Sequence, residues 1–450
     1  MGSLKENCGV FGIYSDQSVV RTIHSALHFL QHRGQQYCGI ATSDGEDLVI
    51  QSHKGRVEPS FSREDFEVLQ GNFGIGHVSL RDRQPMTLHS KLGDFAICFN
   101  GNIVNADDLI AGLKKRGMSF WLDSQIELLL KIVAQEESFV EGIKAIKRKT
   151  DGSYSLLILN KEGIIAARDE MGFKPLVLGK KQGEYAVSSE SRALQNLGFE
   201  IVRDVKPGEI VLVNGEGFKT LDYAAGKRTA FCAFEWAYTA SVDSVIESLS
   251  VDKARNNMGA MLARRDKGKI EADLVAPVPN SGIGHAEGYH IESGVPLKSV
   301  FLLDRYGDRS YTQITQEERD SMARKKLSVL QEAVKGKRIV LCDDSIVRGT
   351  QIREKVRELK KFGAKEVHVR IAVPPLMHPC RYGLSTRDYD ELIARRMPVE
   401  EICEHIGADS LVYNTLEDLV KALGMGKNEL CLYCWDGKAF EEKQRKLGQD

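Results

Sequence analysis

The amino-acid sequence predicts a chain of two unlike parts, an α+β first half and an α/β second half with a mostly parallel sheet. In the first half, short apolar runs that end in Gly, Asn or Ser follow one another closely, which is typical of stacked antiparallel strands. In the second half, strand-like runs alternate with helical segments, the rhythm of βαβ units. The 450 residues allow two or three domains, at roughly 100–200 residues per domain.

The strands of the first half are predicted from short apolar stretches. Three of them occupy 8–15, 73–80 and 94–101, and four more follow between 154 and 191. The stretch 207–217 predicts a strand followed by a turn.

Two helical stretches interrupt the strands of the first half. One begins within 20–31, and the other covers 124–135. In the second stretch apolar residues recur at positions 126, 129, 130 and 133, so they share one face of a helix.

The second half is predicted to hold a parallel sheet whose strands are separated by helices. Strand-like runs occupy 272–279, 295–303, 337–344 and 366–375. Between the last two, 351–363 carries apolar residues on one stripe and ends at a glycine suited to a helix C-terminus. No linker rich in Pro, Gly or Ser separates the halves, so we expect them to pack closely, with a boundary near residue 230.

Composition argues against several classes of protein. Lys and Arg number 62 and Asp and Glu 63, so the net charge is −1, which argues against nucleic acid or an anionic membrane as the main partner. No apolar run approaches the roughly 18 residues that span a bilayer, and the first residues lack the apolar core of a signal peptide. We therefore expect a cytoplasmic protein. Nine cysteines in a long chain favour buried, catalytic or metal-bound thiols over disulfides.

The most informative local motif is RIVLCDDSIVRGTQ at 338–351. An apolar strand ends in Asp343 and Asp344, and a loop from Ser345 to Thr350 leads into the predicted helix. Loop amides and a helix N-terminus form a phosphate site, and carboxylates at the strand end bind ribose hydroxyls or hydrated Mg²⁺. The alternative is an acidic strand end followed by a plain glycine turn.

This motif resembles the phosphoribosyl-pyrophosphate (PRPP) signature of type I phosphoribosyltransferases, and motifs along nearly the whole chain resemble the glutamine PRPP amidotransferases. The motifs that carry the resemblance are CGVFGIYSD from residue 8, QHRGQQYCGIATSDG (31–45), FNGNIVNADDL (99–109), RDEMGFKPLVLG (168–179), RDVKPGEIV (203–211), SVDKARNNMG (250–259) and PPLMHPCRYGLST (374–386).

The resemblance implies an architecture and a reaction. It implies a leader at 1–7 that is cleaved, an N-terminal-nucleophile hydrolase domain with an αββα sandwich at 8–230, and a phosphoribosyltransferase domain with an iron–sulfur tail at 231–450. The implied reaction transfers ammonia from glutamine to PRPP, giving 5-phosphoribosylamine, pyrophosphate and glutamate, the first step of purine synthesis.

Cys8 is the predicted nucleophile of the glutaminase reaction. If the leader is cleaved after Asn7, Cys8 gains an α-amino group with a pKa near ~8 that can serve as its general base. The resemblance implies that Asn100 and Gly101 stabilise the oxyanion of the tetrahedral intermediate. The alternative for Cys8 is a small buried residue in a strand.

The PRPP site is predicted largely from the resemblance. The residues implied to bind PRPP are Asp343, Asp344, Ser345, Val347, Arg348, Gly349, Thr350, Arg305, Arg309 and Lys326. The residues implied to face Mg²⁺ are Ser281, Asp343 and Asp344. For any one of the cations, a solvated surface charge is the alternative.

Four cysteines are implied to hold a [4Fe–4S] cluster, namely Cys232, Cys380, Cys431 and Cys434. Four thiolates suit such a cluster or Zn²⁺, and the Cys-x-x-Cys spacing of the last two alone does not separate these. The alternative is four unrelated buried cysteines.

The glutamine site departs from the family pattern at two positions. Ser79 stands where the family usually has Arg, and the loop that follows is shortened. Gln125 stands where the family has the Asp that holds the α-amino group of glutamine, and Asp123 is nearby but out of register. Arg81 or Arg83 is a candidate replacement for the lost cation.

Three functions therefore compete. The first is the glutamine-dependent amidotransferase, with purine nucleotides as inhibitors and a dimer or tetramer of like chains. The second is a related transferase with a weakened glutaminase that uses free ammonia or another nucleophile. The third is a non-catalytic sensor of PRPP or nucleotides.

Overall fold

The computed structural model describes residues 8–303, 327–383, 386 and 388–438. The first half contains thirteen strands among these residues. They are β1 (Gly9–Tyr14), β2 (Tyr37–Ser43), β3 (Leu48–Lys54), β4 (Phe73–Ser79), β5 (Met86–Ser90), β6 (Gly93–Ile103), β7 (Gly152–Asn160), β8 (Gly163–Arg168), β9 (Val177–Lys181), β10 (Glu184–Ser188), β11 (Glu200–Asp204), β12 (Glu209–Asn214) and β13 (Gly217–Tyr223).

These strands form two antiparallel sheets packed face to face. The seven-stranded sheet has the order β11-β9-β10-β1-β4-β2-β3, and the six-stranded sheet has the order β13-β12-β8-β7-β6-β5. Apolar side chains from both sheets, such as Val10 and Leu157, fill the space between them. Successive residues of strands such as β1 and β7 are buried on both faces of the strand, because each sheet is covered on both sides.

Helices cover the outer face of each sheet. The helices of the first half are α1 (Val20–Phe29), α2 (Val57–Ser60), α3 (Arg63–Val68), α4 (Ala106–Lys115), α5 (Gln125–Gln135), α6 (Phe139–Lys149) and α7 (Ser191–Asn196). α1 and α7 pack on the seven-stranded sheet, and α4, α5 and α6 pack on the six-stranded one. The αββα sandwich is confirmed. The helix predicted at 124–135 is also found, and Ser124 caps it by accepting from the amide of Glu127.

The second half is built around a four-stranded parallel sheet. Among the described residues, the strands of the second half as a whole are β14 (Phe231–Cys232), β15 (Val245–Ile246), β16 (Leu249–Ser250), β17 (Leu274–Pro277), β18 (Phe301–Leu303), β19 (Leu327–Val329), β20 (Arg338–Asp343), β21 (Glu366–Ile371), β22 (Ser410–Tyr413) and β23 (Leu430–Cys431). The order of the main sheet is β17-β20-β21-β22, and all its neighbours are parallel.

The prediction of a strand of the parallel sheet at 295–303 is wrong, both in the length of the strand and in the strand with which it pairs. Only Phe301–Leu303 forms a strand, and it pairs antiparallel with Leu327–Val329 outside the main sheet. Leu297 makes a single isolated bridge to Val275. Pro296 has no amide hydrogen to donate, so this stretch does not continue as a ladder strand.

Helices flank the parallel sheet. They are α8 (Val251–Asp266), α9 (Ile283–Ser293), α10 (Gln331–Val334), α11 (Thr350–Lys361), α12 (Val399–Ile406), α13 (Leu416–Leu423) and α14 (Tyr433–Asp436), with a short π-helix at Glu235–Thr239. In the part of the chain that the structure describes, no helix is both long and apolar enough to cross a membrane.

The two halves are joined by direct side-chain contacts. The Asn102 side-chain amide donates to the carbonyl of Arg381 at 2.8 Å, and the Ser153 hydroxyl donates to the carbonyl of Tyr382 at 2.6 Å. The Phe173 ring stacks on the Tyr382 ring with centroids 4.2 Å apart. The close packing follows from these contacts, while the boundary near residue 230 stays a prediction.

Candidate active sites

Cys8 lies at the entrance of β1, buried between the two sheets of the first half. Its side chain and backbone are 7% exposed. Arg33 Nε donates to the Cys8 carbonyl at 3.0 Å. Two residues along β1, the amide of Val10 donates to the Ser189 hydroxyl at 2.9 Å. The backbone at Cys8 is therefore fixed from two sides.

Burial makes the Cys8 thiol a weak acid. Burial, together with the charge of Asp82, raises the pKa of Cys8 to about 12, although Arg33, a backbone hydrogen bond from Leu80 and Lys174 act in the opposite direction. Because the thiolate is the nucleophilic form, attack at neutral pH requires a base beside the sulfur.

Asn100 lies on the strand that passes Cys8. β6 contacts β1, and burial raises the pKa of Cys98 on β6, with a smaller contribution from the charge of Cys8. Asn100 lies two residues further along the strand and therefore on the same face. It is 1% exposed, and neither polar atom of its side chain has a hydrogen-bond partner among the described residues. A buried, unpartnered amide is costly unless a ligand satisfies it.

Gly101 follows Asn100 at a point where two strands come very close. A Cβ atom at Gly101 would lie 2.0 Å from the carbonyl oxygen of Ser153 on β7. Only glycine fits this approach, so the position of the Asn100–Gly101 peptide depends on the absence of a side chain.

A buried network of four charges reaches the Cys8 backbone through Arg33. Arg33 pairs with Glu190 at 2.5 Å and with Glu235 at 3.0 Å, and Lys174 pairs with Glu235 at 3.2 Å. All four side chains are 2% exposed or less. Two cations and two carboxylates balance, as a buried cluster requires.

Ser79 and Gln125 make contacts within the protein. The Ser79 side chain is fully buried, and its hydroxyl donates to the carbonyl of Asp82 at 2.7 Å. Gln125 Oε1 accepts from the amide of Ile103 at 2.9 Å, and Gln125 Nε2 donates to Asn102 Oδ1 at 3.0 Å. Neither side chain brings a charge to the site.

Asp123 also faces elsewhere. It is exposed, and it pairs with Lys114 at 2.7 Å. The structure therefore gives no support to Asp123 as a replacement for the missing carboxylate.

The second site lies at the carboxyl end of β20, where Ser281, Asp343 and Asp344 meet. The Ser281 hydroxyl donates to Asp343 Oδ1 at 2.6 Å, and the amide of Asp344 donates to the same oxygen at 3.0 Å. Burial raises the pKa of Asp343, and burial with the neighbouring Asp343 charge raises the pKa of Asp344 well above its ordinary value. Two buried carboxylates held this close favour a bound cation, and oxygen donors suit Mg²⁺.

The loop after the acid pair leads into α11. The Ser345 hydroxyl donates to Asp344 Oδ2 at 2.5 Å, and Gly349 takes a φ of +79° at the N-cap of the helix. A side chain there would be strained, and its Cβ would lie 2.9 Å from Ile393. Thr350, the first helical residue, is exposed.

Two other residues of the loop make contacts elsewhere. Val347 packs partly buried against the apolar cluster that includes Trp236, and its carbonyl accepts from the amide of Ile393 at 2.8 Å. The Arg348 guanidinium pairs with Glu391. Arg305, Arg309 and Lys326 lie outside the described residues.

The four predicted cluster cysteines come together around one pocket. β14 and β23 pair in parallel with Cys232 opposite Cys431. Cys380 and Cys434 line the same pocket, together with the cations of Lys174 and Arg381. Within the described ranges, however, no group of three or more Cys, His, Asp or Glu side chains is arranged closely enough to hold a metal ion.

The pocket suits an anionic, thiolate-bound group in its chemistry. Among the residues that the structure describes, its lining contains no carboxylate and no imidazole. Burial raises the pKa of Cys232 to about 11 and raises the pKa of Cys431 well above its ordinary value. A metal group that binds here must therefore displace thiol protons.

Sequence reasoning missed the buried network of Arg33, Glu190, Glu235 and Lys174. These residues lie far apart in the chain, and their meeting depends on the tertiary fold. The available signal was a charged residue among large apolar neighbours, as at Phe-Glu-Trp around Glu235, because such a charge is rarely buried unless it is paired.

Comparisons with known proteins identify the families of the two halves. The family described as "Glutamine amidotransferase domain" matches residues 74–196, and the one described as "Phosphoribosyl transferase domain" matches residues 251–403. The chain is 40% identical over 460 residues to the amidophosphoribosyltransferase of Methanocaldococcus jannaschii, covering 96% of this chain and 97% of that one. It is 37% identical to that of Bacillus subtilis, covering 97% and 94%.

A solved structure gives the same result. The fold matches the glutamine PRPP amidotransferase from B. subtilis complexed with ADP and GMP, with a TM-score of 0.90, 37% identity, and coverage of 96% of this chain and 97% of that chain. The predicted resemblance is confirmed, and the chain belongs to the amidophosphoribosyltransferases, the pentosyltransferases of the first step of purine biosynthesis.

Proposed function

We propose that Cys8, freed from a seven-residue leader, is the nucleophile that releases ammonia from glutamine. Its sulfur attacks the side-chain amide carbon, and its α-amino group takes the thiol proton and passes it to the departing ammonia. Water then hydrolyses the thioester to glutamate. The raised pKa of Cys8 supports this role for the amino group, because the buried thiol would not ionise alone.

Asn100 and Gly101 would stabilise the oxyanion of the tetrahedral intermediate. The observation that carries this proposal is the Asn100 amide, which is buried on the strand that passes Cys8 and has no hydrogen-bond partner among the described residues. An oxyanion donor placed in advance needs no reorganisation when charge develops.

Ammonia from the first site would then react at the acid pair of the second half. Its nitrogen attacks the anomeric carbon of PRPP, the bond from that carbon to oxygen breaks, and pyrophosphate leaves with the electron pair. Asp343 and Asp344 would grip the ribose hydroxyls, and Ser345 to Thr350 would surround the 5′-phosphate with amides. Mg²⁺ held near Ser281, Asp343 and Asp344 would screen the charge of the pyrophosphate. Arg305, Arg309 and Lys326 remain proposed pyrophosphate contacts.

The four cysteines Cys232, Cys380, Cys431 and Cys434 would hold a [4Fe–4S] cluster. This proposal is supported by a pocket with four thiols, two nearby cations and a lining otherwise dominated by aromatic rings. Such a cluster would fasten the C-terminal stretch at β23 to the start of the second half at β14.

Protein purified without oxygen is expected to contain about four Fe per chain, the number that a four-Cys site commonly holds. Metal analysis and the visible absorbance of the cluster test this. Cys232→Ser is expected to lose the iron, whereas Cys403→Ser, which alters a cysteine outside the pocket, is expected to keep it. Stoichiometric Zn²⁺ in a colourless anaerobic preparation would contradict the cluster, and metal-free protein would contradict the site.

A second candidate, a transferase that relies on free ammonia because its glutaminase is weak, is favoured by one observation. Ser79 and Gln125 replace charged residues, and both side chains are engaged with the protein itself. Free glutamine carries a carboxylate and an ammonium group, and these side chains offer it no fixed opposite charge.

The KM for glutamine is expected to be raised by about 10²-fold over a relative with both charges, since each charge-assisted hydrogen bond is worth about 1.5–3 kcal/mol. The kcat should be spared, because ground-state and transition-state binding are lost equally. Steady-state kinetics with glutamine and with ammonia on one preparation tests this, and ammonia use should be normal.

Asp123→Asn is the matched control, and it is expected to leave the KM for glutamine unchanged because Asp123 is exposed and paired with Lys114. Saturation by glutamine at ordinary low concentration would contradict the expectation. A KM that rises in Arg81→Ala or Arg83→Ala would identify the replacement cation.

The proposed setting is the cytoplasm. Purine nucleotides are the proposed inhibitors, as the solved relative was complexed with ADP and GMP. We further propose a dimer or tetramer of like chains.

A further inference from the structure

Glu235 is a carboxylate of the second half that is buried against the glutaminase centre of the first. It begins the π-helix Glu235–Thr239 and is 1% exposed. Both of its oxygens accept from Arg33 Nη2 at 3.0 Å, and one of them also accepts from Lys174 at 3.2 Å. The mechanism proposed above does not use it.

Each of the three nitrogens of the Arg33 guanidinium donates a hydrogen bond. Nε donates to the Cys8 carbonyl at 3.0 Å, Nη1 donates to Glu190 at 2.5 Å, and Nη2 donates to Glu235. The two carboxylates therefore fix the plane of the guanidinium, and that plane fixes the Cys8 carbonyl. This carbonyl remains after removal of any residues that precede Cys8, so the contact persists in a matured chain.

The π-helix that carries Glu235 is itself held in place. The Arg255 guanidinium donates to the carbonyls of Trp236, Tyr238 and Ala240 at 3.0, 2.9 and 2.7 Å. Arg255 lies close enough to Asp344 for the two charges to interact. The carboxylate that reaches Arg33 thus stands on an element anchored beside the acid pair.

We propose that Glu235 is a positioning residue of the glutaminase reaction, which acts by orienting Arg33 and through it the backbone of Cys8. The inference rests on the proposed role of Cys8. It means that the second half of the chain completes the glutaminase centre. A displacement of about 1 Å at a reacting group can cost about 10²-fold in rate, so a small loss of orientation has a large effect.

The competing explanation is charge balance alone. Glu235 neutralises buried cations, and removing one partner of a buried pair is strongly destabilising. Removing Arg33 together with Glu235 leaves Glu190 and Lys174, so the remaining charges balance and the protein can fold with apolar replacements.

The test is a double-mutant cycle with Arg33→Met, Glu235→Met and the double variant, with Glu235→Gln as the conservative change. Each single Met variant is expected to lose about 10²-fold in kcat with glutamine. The double variant should lose no more than Arg33→Met, because Glu235 acts only through Arg33. Glu235→Gln, which keeps one acceptor, should recover part of the rate.

Two further measurements separate positioning from damage. Ammonia-dependent kcat should stay within about twofold in every variant, while alkylation of Cys8 by a diazoketone analogue of glutamine should slow in parallel with glutamine turnover. Asp266→Asn, which removes a buried carboxylate paired with Arg370 at 2.5 Å in the second half, should lower the unfolding temperature without slowing alkylation of Cys8.

Additive losses in the cycle, equal losses with both nitrogen donors, or slowed alkylation in Asp266→Asn would overturn the inference. Unchanged glutamine turnover in Glu235→Met would also overturn it. If Cys8→Ala still used glutamine, the proposed function itself would fail, so the two failures are distinguishable.

Discussion

Cys8→Ala is expected to abolish glutamine-dependent synthesis of phosphoribosylamine while ammonia-dependent synthesis continues. Cys8, the proposed nucleophile, lies between the sheets of the first half, whereas the acid pair lies at the end of β20 in the second. Removing a covalent nucleophile costs about 10⁶-fold in turnover, so glutamine use should fall to background. Assays with both nitrogen donors on one preparation measure the effect.

Cys38→Ala is the matched control for this experiment. Cys38 is a fully buried thiol in the same half, on β2, and its loss should lower stability without abolishing glutamine use. The mass of the purified chain completes the test, because a chain that begins at Cys8 has the free amino group the mechanism needs. Equal loss of both activities in Cys8→Ala would contradict two separate sites.

The double variant Asp343→Asn, Asp344→Asn is expected to lose PRPP use and keep the glutaminase reaction. Each charge-assisted hydrogen bond contributes about 1.5–3 kcal/mol, so kcat/KM for PRPP should fall by about 10²-fold or more. PRPP kinetics and glutamine hydrolysis, measured on the same variant, test this. Unchanged PRPP kinetics would mean that the acid pair is only the end of a strand.

The same variant is expected to be at least as stable as the parent at neutral pH. Burial raises the pKa of both carboxyls in the folded chain. A carboxyl whose pKa is higher folded than unfolded stabilises the fold below the unfolded value, and that contribution is lost as pH rises through the folded value. The charged form of the pair is therefore unfavourable in the folded chain, and Asn, which carries no charge, removes this cost. Thermal unfolding at pH 7 with no added cation measures it.

Asp273→Asn is the control variant for both measurements, the PRPP kinetics and the thermal unfolding. Asp273 precedes β17, at the opposite end of the same sheet, and its pairing with Arg338 lowers its pKa to about 2. The variant should therefore keep PRPP kinetics. The Asp273 carboxylate is 29% exposed, so solvent weakens the ion pair with Arg338 and we expect only a modest loss of stability.

The second site was predictable because its signal is local. An apolar strand, two acids, a hydroxyl-rich loop and a helix follow one another within 338–361, and in a parallel sheet that order places the acids at the carboxyl edge. Ser281 comes from a separate strand end, yet it reaches Asp343 because β17 and β20 are neighbours in the sheet.

The other features of the fold and of the first site could not be predicted from the sequence, because most of them depend on contacts between distant segments. Ser79 and Gln125 could be identified as missing charges from the sequence, but their partners could not, because Asp82 and Asn102 reach them through loop and strand packing. Pro296 shortened a predicted strand by removing one amide hydrogen. The network around Arg33 joins residues up to 202 positions apart, and no spacing rule reaches that far.

The contacts between the halves limit how this chain can be recombined in evolution or in the laboratory. A first half produced alone would bury Arg33 with one of its two carboxylates gone, and it would leave the partners of Asn102 and Ser153 behind. A chimaera that takes one half from a relative must keep a carboxylate at position 235. Its backbone must also place the carbonyls of residues 381 and 382 within reach of Asn102 and Ser153. Although each half matches its own domain family, these contacts mean that the two halves are not interchangeable modules.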